Sequence, residues 1–193
     1  SRSISNIYAT RKYDIVMIGN NIMRKNYQLA VSIINELSEI QTFSSLSVCI
    51  IGNDVDQLRK SINRRVSFTA LKNISEQYLA QILNNSKIFV STSVLEGYCI
   101  PYIEAQSMGI YCVVPNNEVF IENRISNGVL FCELSKDQYI DEITKILMSL
   151  SSQQNANHVM PSFVPMPKLS QFLNETIEQS IKDFAASVVE RSI

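Results

Sequence analysis

A single histidine, His158, occurs in the 193 residues of this chain. It lies in a Pro/Asn-rich stretch, where solvent exposure is expected, and no Ser–His–Asp or Cys–His relay can be traced around it. The four cysteines, Cys49, Cys99, Cys112 and Cys132, include no Cys-x-x-Cys pair. A zinc site needs three or four ligands, so these read as reduced, mostly buried thiols of a cytosolic protein. Charge of one sign is also lacking: 17 Lys and Arg stand against 18 Asp and Glu. No global field is left to attract nucleic acid or an anionic membrane. No apolar run is long enough to span a bilayer. The opening Ser1-Arg2-Ser3-Ile4-Ser5-Asn6 has neither an initiator Met nor an apolar signal core, and reads as part of a longer chain or a trimmed one.

What is present is a regular alternation of apolar runs and helical patterns. Asp14–Ile18 ends at Gly19, and Leu46–Ile51 ends at Gly52. Val66–Thr69, Ile88–Val90, Tyr111–Val114 and Val129–Cys132 are further short strand-like runs. Between them, 27–37 places Leu29, Ile33, Ile34 and Leu37 at helical spacing, and 75–83 opens on a capping Ser75 with Tyr78, Leu79, Ile82 and Leu83 on one face. The spacing predicts further helices over 101–108, closed by Gly109, and over 136–150, with Tyr139, Ile143, Ile146, Leu147 and Leu150 inward. Such alternation predicts an α/β fold: a Rossmann-like parallel sheet with helices on both faces. Domain bounds follow: a tail or strap over 1–12, the α/β domain over 13–150, a Ser/Asn/Pro-rich linker over 151–168, and an amphipathic helix over 169–193 that must bury its apolar face somewhere.

The most informative stretch is Ser93-Val94-Leu95-Glu96-Gly97-Tyr98-Cys99-Ile100-Pro101-Tyr102-Ile103-Glu104-Ala105-Gln106-Ser107-Met108-Gly109. A strand enters it, Gly97 loosens the backbone, and Pro101 starts a helix. One carboxylate stands on each side of the turn, at the carboxyl end of a parallel strand, where open α/β sheets bind ligands. Taken singly, Glu96 reads as a solvated loop charge and Glu104 as a helix-dipole carboxylate in the first turn. Together the stretch resembles the Glu-x7-Glu region of the family 4 retaining glycosyltransferases of GT-B fold, whose pattern is roughly Ser-x-x-Glu-Gly-Phe-Gly-x-Pro-x-x-Glu-Ala-x-x-x-Gly. Cys99 replaces the second Gly of the Glu-Gly-Phe-Gly core.

The resemblance implies roles. Glu104 would accept hydrogen bonds from the ribose hydroxyls and Glu96 from hydroxyls of the transferred sugar. The backbone of Gly97, Tyr98, Cys99 and Ile100, ahead of a helix start, would meet the sugar and distal phosphate. The segment Gly19-Asn20-Asn21-Ile22-Met23-Arg24-Lys25-Asn26 resembles the family's Gly-Arg-x-x-x-x-Lys-Gly phosphate clamp. Lys25 matches its Lys, Asn20 stands for its Arg, Asn26 for its second Gly, and Arg24 is a substitute cation. The loop Thr69–Asn73, with the backbone of Leu71, would read the base. Asn116-Asn117-Glu118 reads either as a polar loop facing the ligand or as a plain Pro-Asn turn. Asp54-Val55-Asp56 looks like a metal motif, but helix capping explains it. The resemblance implies no divalent ion and no cofactor.

The chain is therefore expected to be the carboxyl-terminal, donor-binding half of a retaining glycosyltransferase using a UDP- or GDP-sugar. Its expected partners are that donor, a glycan or other acceptor, and an amino-terminal acceptor-binding domain outside this chain. Surface polysaccharide or glycoconjugate synthesis in the cytoplasm, with the inner membrane face as a peripheral location, is the implied setting. The alternative, prompted by Asn20 and Cys99, is a degenerate GT-B domain that serves as a scaffold.

Overall fold

The computed structural model describes residues 11–20, 23–43 and 45–152. Six strands alternate with helices: β1 (Tyr13–Ile18), α1 (Tyr27–Leu37), β2 (Ser47–Ile51), a 3₁₀ helix (Val55–Lys60), β3 (Ser67–Leu71), α2 (Glu76–Asn84), β4 (Ser86–Val90), α3 (Ile100–Ser107), β5 (Tyr111–Pro115), α4 (Glu118–Glu122), β6 (Val129–Cys132) and α5 (Lys136–Ser152). All five pairings are parallel, in the order β3-β2-β1-β4-β5-β6. Val16 on β1 lies level with Cys49 on β2 and Phe89 on β4. The winding reverses between β1 and β4, which makes the crevice above their carboxyl ends the topological switch point.

Strand side chains alternate between two layers. Ile15, Met17, Ile88, Val90 and Val113 join a core with Ile33, Ile34 and Leu37 of α1 and Tyr139, Ile143 and Leu147 of α5. On the other face Phe89 packs against Tyr102 of α3, centroids 6.4 Å apart, and Tyr102 meets Phe120 of α4 edge-on at 5.1 Å. Helices thus cover both faces, as the alternation predicts. All four cysteines are free and buried. Arg11, in the stretch read as a tail or strap, is buried and donates to the Ser86 carbonyl at 2.8 Å.

Several local readings change. β3 continues through Ala70 and Leu71, so Thr69, Ala70 and Leu71 of the expected base-reading loop are paired strand; Ile51 of β2 stands beside Leu71 in register. Ser75 does cap α2, its Oγ accepting from the Tyr78 amide at 3.2 Å, but the Tyr78 ring is exposed instead of inward. Asn117 is no plain turn residue: its side chain accepts from the Phe120 amide and starts α4. Asp54 precedes the 3₁₀ helix in a left-handed conformation and makes no side-chain cap. α5 runs on to Ser152. His158, the rest of the expected linker and the helix over 169–193 lie outside the described residues.

Candidate functional site

The exits of β1 and β4 are laced together at the switch point. Lys25, from the loop after β1, donates from Nζ to Oε1 of Glu96, from the loop after β4. Their side chains are only 11% and 5% exposed, so Glu96 is not the solvated charge that its loop position suggested. Ser93 Oγ donates to the same carboxylate oxygen at 2.5 Å. Thr92 Oγ1 donates to the carbonyls of Lys25 at 2.7 Å and Asn26 at 3.3 Å, and the Val94 amide donates to the Arg24 carbonyl at 3.0 Å. Behind them Tyr139 of α5 donates to the Ser91 carbonyl at 2.7 Å, and Tyr27 of α1 to the Gly19 carbonyl at 3.0 Å. Burial raises both phenol pKa values, so both hydroxyls keep their protons and remain donors.

The Lys25 side chain crowds Gly19. A Cβ there would fall 2.2 Å from Lys25 Cε, because the lysine stem lies across it. At Gly97, by contrast, no atom beyond its own chain neighbours lies within 4 Å of the position of a Cβ, leaving open space beside Glu96.

Among the described residues, four non-glycines adopt left-handed backbone: Asn26 (φ 51°), Asp54 (φ 60°), Asn73 (φ 50°) and Cys99 (φ 54°). They follow β1, β2, β3 and β4 in turn. At Asn26 and Cys99 the family pattern has Gly, the residue that adopts this conformation most readily. Asn tolerates it; Cys bears a cost of about 1–2 kcal/mol. Cys99 is 8% exposed, and burial, reinforced by Glu96 and opposed by Lys25 and Arg24, pushes its thiol up to about 11. At neutral pH it is an uncharged wall of the crevice, not a nucleophile.

The other expected residues are less closely joined. Tyr98 is half-buried, while Ile100 is exposed as the first residue of α3. Arg24 is exposed. Asn20 is exposed too, and its Oδ1 accepts from the Asn53 amide at 3.1 Å, tying the β1 exit to the β2 exit. The Leu71 carbonyl accepts from the Gly52 amide at 2.9 Å. Glu104 is the fifth residue of α3, in its second turn, which corrects the first-turn expectation: α3 begins at Ile100 and has no acid in its first turn. It is half-buried, and burial, then the Glu76 charge, raises its carboxyl pKa. Among the described residues its carboxylate makes no hydrogen bond or ion pair, which leaves both oxygens as available acceptors.

Sequence reasoning missed Thr92, Tyr27 and Tyr139 as supports; Ser93 was legible, three residues before Glu96. It also missed an apolar rim at the crevice: Met23, 82% exposed, Leu95, 68% exposed, and the exposed Val94 and Ile100. A polar groove of about 1190 Å³ lies elsewhere, lined by residues such as Asn35, Glu39, Arg59 and Arg64, and contains none of the expected site residues.

The six-stranded doubly wound sheet, with a Lys–Glu pair and a helix start at its switch point, has the fold of the carboxyl-terminal half-domains of GT-B glycosyltransferases. Residues 3–160, more than half of the chain, match the model of the glycosyl transferases group 1, and the chain belongs to that family. It is similar to the C-terminal domain of a glycosyl transferase group 1 family protein (LpcC) from Francisella tularensis, with 16% identity and a TM-score of 0.58 over 80% of this chain and 86% of that one. It also resembles S. aureus TarM, solved as a point mutant with fondaparinux, α-GlcNAc-glycerol and UDP, with 19% identity and a TM-score of 0.58 over 73% of this chain and 30% of that one. A sequence relative is a phosphatidylinositol N-acetylglucosaminyltransferase subunit of Homo sapiens, 24% identical over 79% of this chain. The chain spans 34% of that curated relative's length. No helix among the described residues is long and apolar enough to cross a membrane.

Proposed function

We propose that this chain binds the diphosphate and sugar of a UDP- or GDP-sugar in the β1–β4 crevice, as the donor half of a retaining glycosyltransferase. The observation that supports this most is the convergence of Lys25 and Glu96 from sites 71 residues apart onto the switch point. Lys25 supplies a cation for the leaving diphosphate, joined by amides ahead of α3 and by Arg24. Glu96 accepts hydroxyls of the transferred sugar, and the open space at Gly97 leaves room for its ring. Glu104, with both oxygens available, accepts the ribose diol. Leu71 and the residues after β3 take the base. The UDP in the TarM structure suits this arrangement.

An acceptor then enters from an amino-terminal domain outside this chain, and the departing phosphate helps to deprotonate it. The protein contributes positioning and charge stabilisation, without a divalent metal. The acceptor belongs to a surface polysaccharide or glycoconjugate made in the cytoplasm, at or near the inner membrane face. The apolar rim of Met23, Val94, Leu95 and Ile100 flanks the acceptor side. The test is transfer from labelled UDP- and GDP-sugars by the full-length protein with EDTA present, followed by NMR of the anomeric proton of the first product. Transfer with the donor's configuration kept is expected; inversion, or activity abolished by EDTA, would overturn retention or metal independence respectively.

One observation favours the scaffold reading. Asn20, where the family pattern has Arg, is engaged with the Asn53 amide and offers no charge. A domain so altered would bind no nucleotide and serve only to dock a partner.

A further inference from the structure

We infer that the Lys25–Glu96 ion pair makes the site discriminate between an intact nucleotide sugar and the free nucleoside diphosphate, and so promotes release of the spent nucleotide. The inference rests on the donor-site reading above and adds a role that neither residue has singly.

Lys25 is committed to Glu96. Its stem lies across Gly19, and its side chain is 11% exposed. A lysine neutralised by a neighbouring carboxylate presents little net field to an incoming diphosphate. Binding a diphosphate therefore means exchange: the ammonium leaves Glu96 for a phosphate oxygen. Glu96, 5% exposed, is then left with Ser93 Oγ as its remaining donor among the described residues. A nearly buried carboxylate stripped of its cation is costly unless new donors replace it.

An intact nucleotide sugar supplies those donors, because sugar hydroxyls reach Glu96 as the diphosphate takes Lys25. A free nucleoside diphosphate takes the lysine and returns nothing to the carboxylate. The pair is thus closed without ligand, opened favourably by the whole donor, and re-closed once the sugar has gone. Ser93 and Thr92 hold the two halves in register: one hydroxyl is on the Glu96 carboxylate, the other on the Lys25 and Asn26 carbonyls.

The experiment is calorimetric titration of the full chain, and of its Glu96→Gln, Lys25→Met and double variants, with UDP, GDP and inorganic pyrophosphate. Circular-dichroism melts verify that each is folded. Glu96→Gln is expected to bind the preferred free diphosphate about 10-fold more tightly than the unaltered chain, and Lys25→Met more weakly. In the Lys25→Met background the Gln substitution is expected to change affinity by less than about 2-fold, since there is no lysine left to release. Equal tightening in both backgrounds would mean simple repulsion by the carboxylate and would overturn the inference. Unchanged or weaker binding by Glu96→Gln, with Lys25→Met still impaired, would overturn it while leaving the donor site standing. Should Glu96→Gln not fold, Glu96→Asp shortens the reach to Lys25 and is expected to tighten diphosphate binding; unchanged affinity there would count against the inference. No saturable binding by any form would remove the donor-site reading and the inference with it.

Discussion

The loop after β1 and the loop after β4 enter their helices in the same way and for different reasons. Each ends in a left-handed residue, Asn26 with φ 51° and ψ 49°, and Cys99 with φ 54° and ψ 59°. Asn is at ease in that conformation, and Asn26 is only half-buried. Cys99 has no such local preference and is buried beside Glu96. The first loop carries no charge at Asn20 and meets its helix through a residue suited to the turn; the second carries the Glu96 carboxylate and meets its helix through a buried thiol. The same backbone turn is thus built once from a residue that favours it and once from one that does not, at a cost in local strain.

The comparison breaks most sharply at the ion pair. Lys25→Met leaves the nearly buried Glu96 carboxylate without its cation, and is expected to cost about 3 kcal/mol in chemical denaturation. Glu96→Gln is expected to cost less, since the longer Lys25 chain can turn its ammonium to water. Equal costs would place the two side chains in equally closed surroundings, against the asymmetry of their burial.

The next effect concerns the two left-handed residues. Cys99→Gly is expected to be more stable than Cys99→Ala by about 1 kcal/mol, because both lose the sulfur and only Ala retains the strain. In a chain of this size that is a difference of about 2–4 °C in Tm. The same Gly-over-Ala order is expected at Asn26. Identical melting of the two Cys99 variants would show that this helix entry is not left-handed. Thr92→Val, which removes the hydroxyl on the Lys25 and Asn26 carbonyls, is expected to cost about 1 kcal/mol.

The smallest effect is at Glu104. Its carboxyl pKa is raised in the folded chain, so the native state holds its proton more tightly than the unfolded state does. The stability this contributes is present below the ordinary carboxylate pKa and is lost as pH rises through the raised value. Glu104→Gln is therefore expected to raise Tm by about 1 °C at pH 7 and by nothing at low pH, while weakening nucleotide binding. A lower Tm at pH 7 would show that the carboxylate is stabilised instead of strained.

Much of the sheet was legible because its strands are short apolar runs stopped by Gly, Pro or Asn, and the long helices because their apolar period is unbroken. The five inward residues of α5 are those its spacing predicts. α4 escaped notice because it is five residues long and too short to show a period; the only signal was Asn117 ahead of Val119 and Phe120. The end of β3 was misplaced because Ala70 and Leu71 are held by pairing with β2, which local sequence does not encode. The Glu96 motif and Lys25 were each legible as site residues, but their pairing was not. Lys25 joins Glu96 only because the fold sets β1 beside β4.

Calorimetric titration of the unaltered chain with UDP, GDP and their common sugar conjugates in EDTA reads the donor site itself. Saturable one-to-one binding of one nucleotide class is expected, tighter for a sugar conjugate than for the free diphosphate and weakened in Lys25→Met. No saturation at millimolar ligand, or binding indifferent to Lys25, would contradict the donor-site reading.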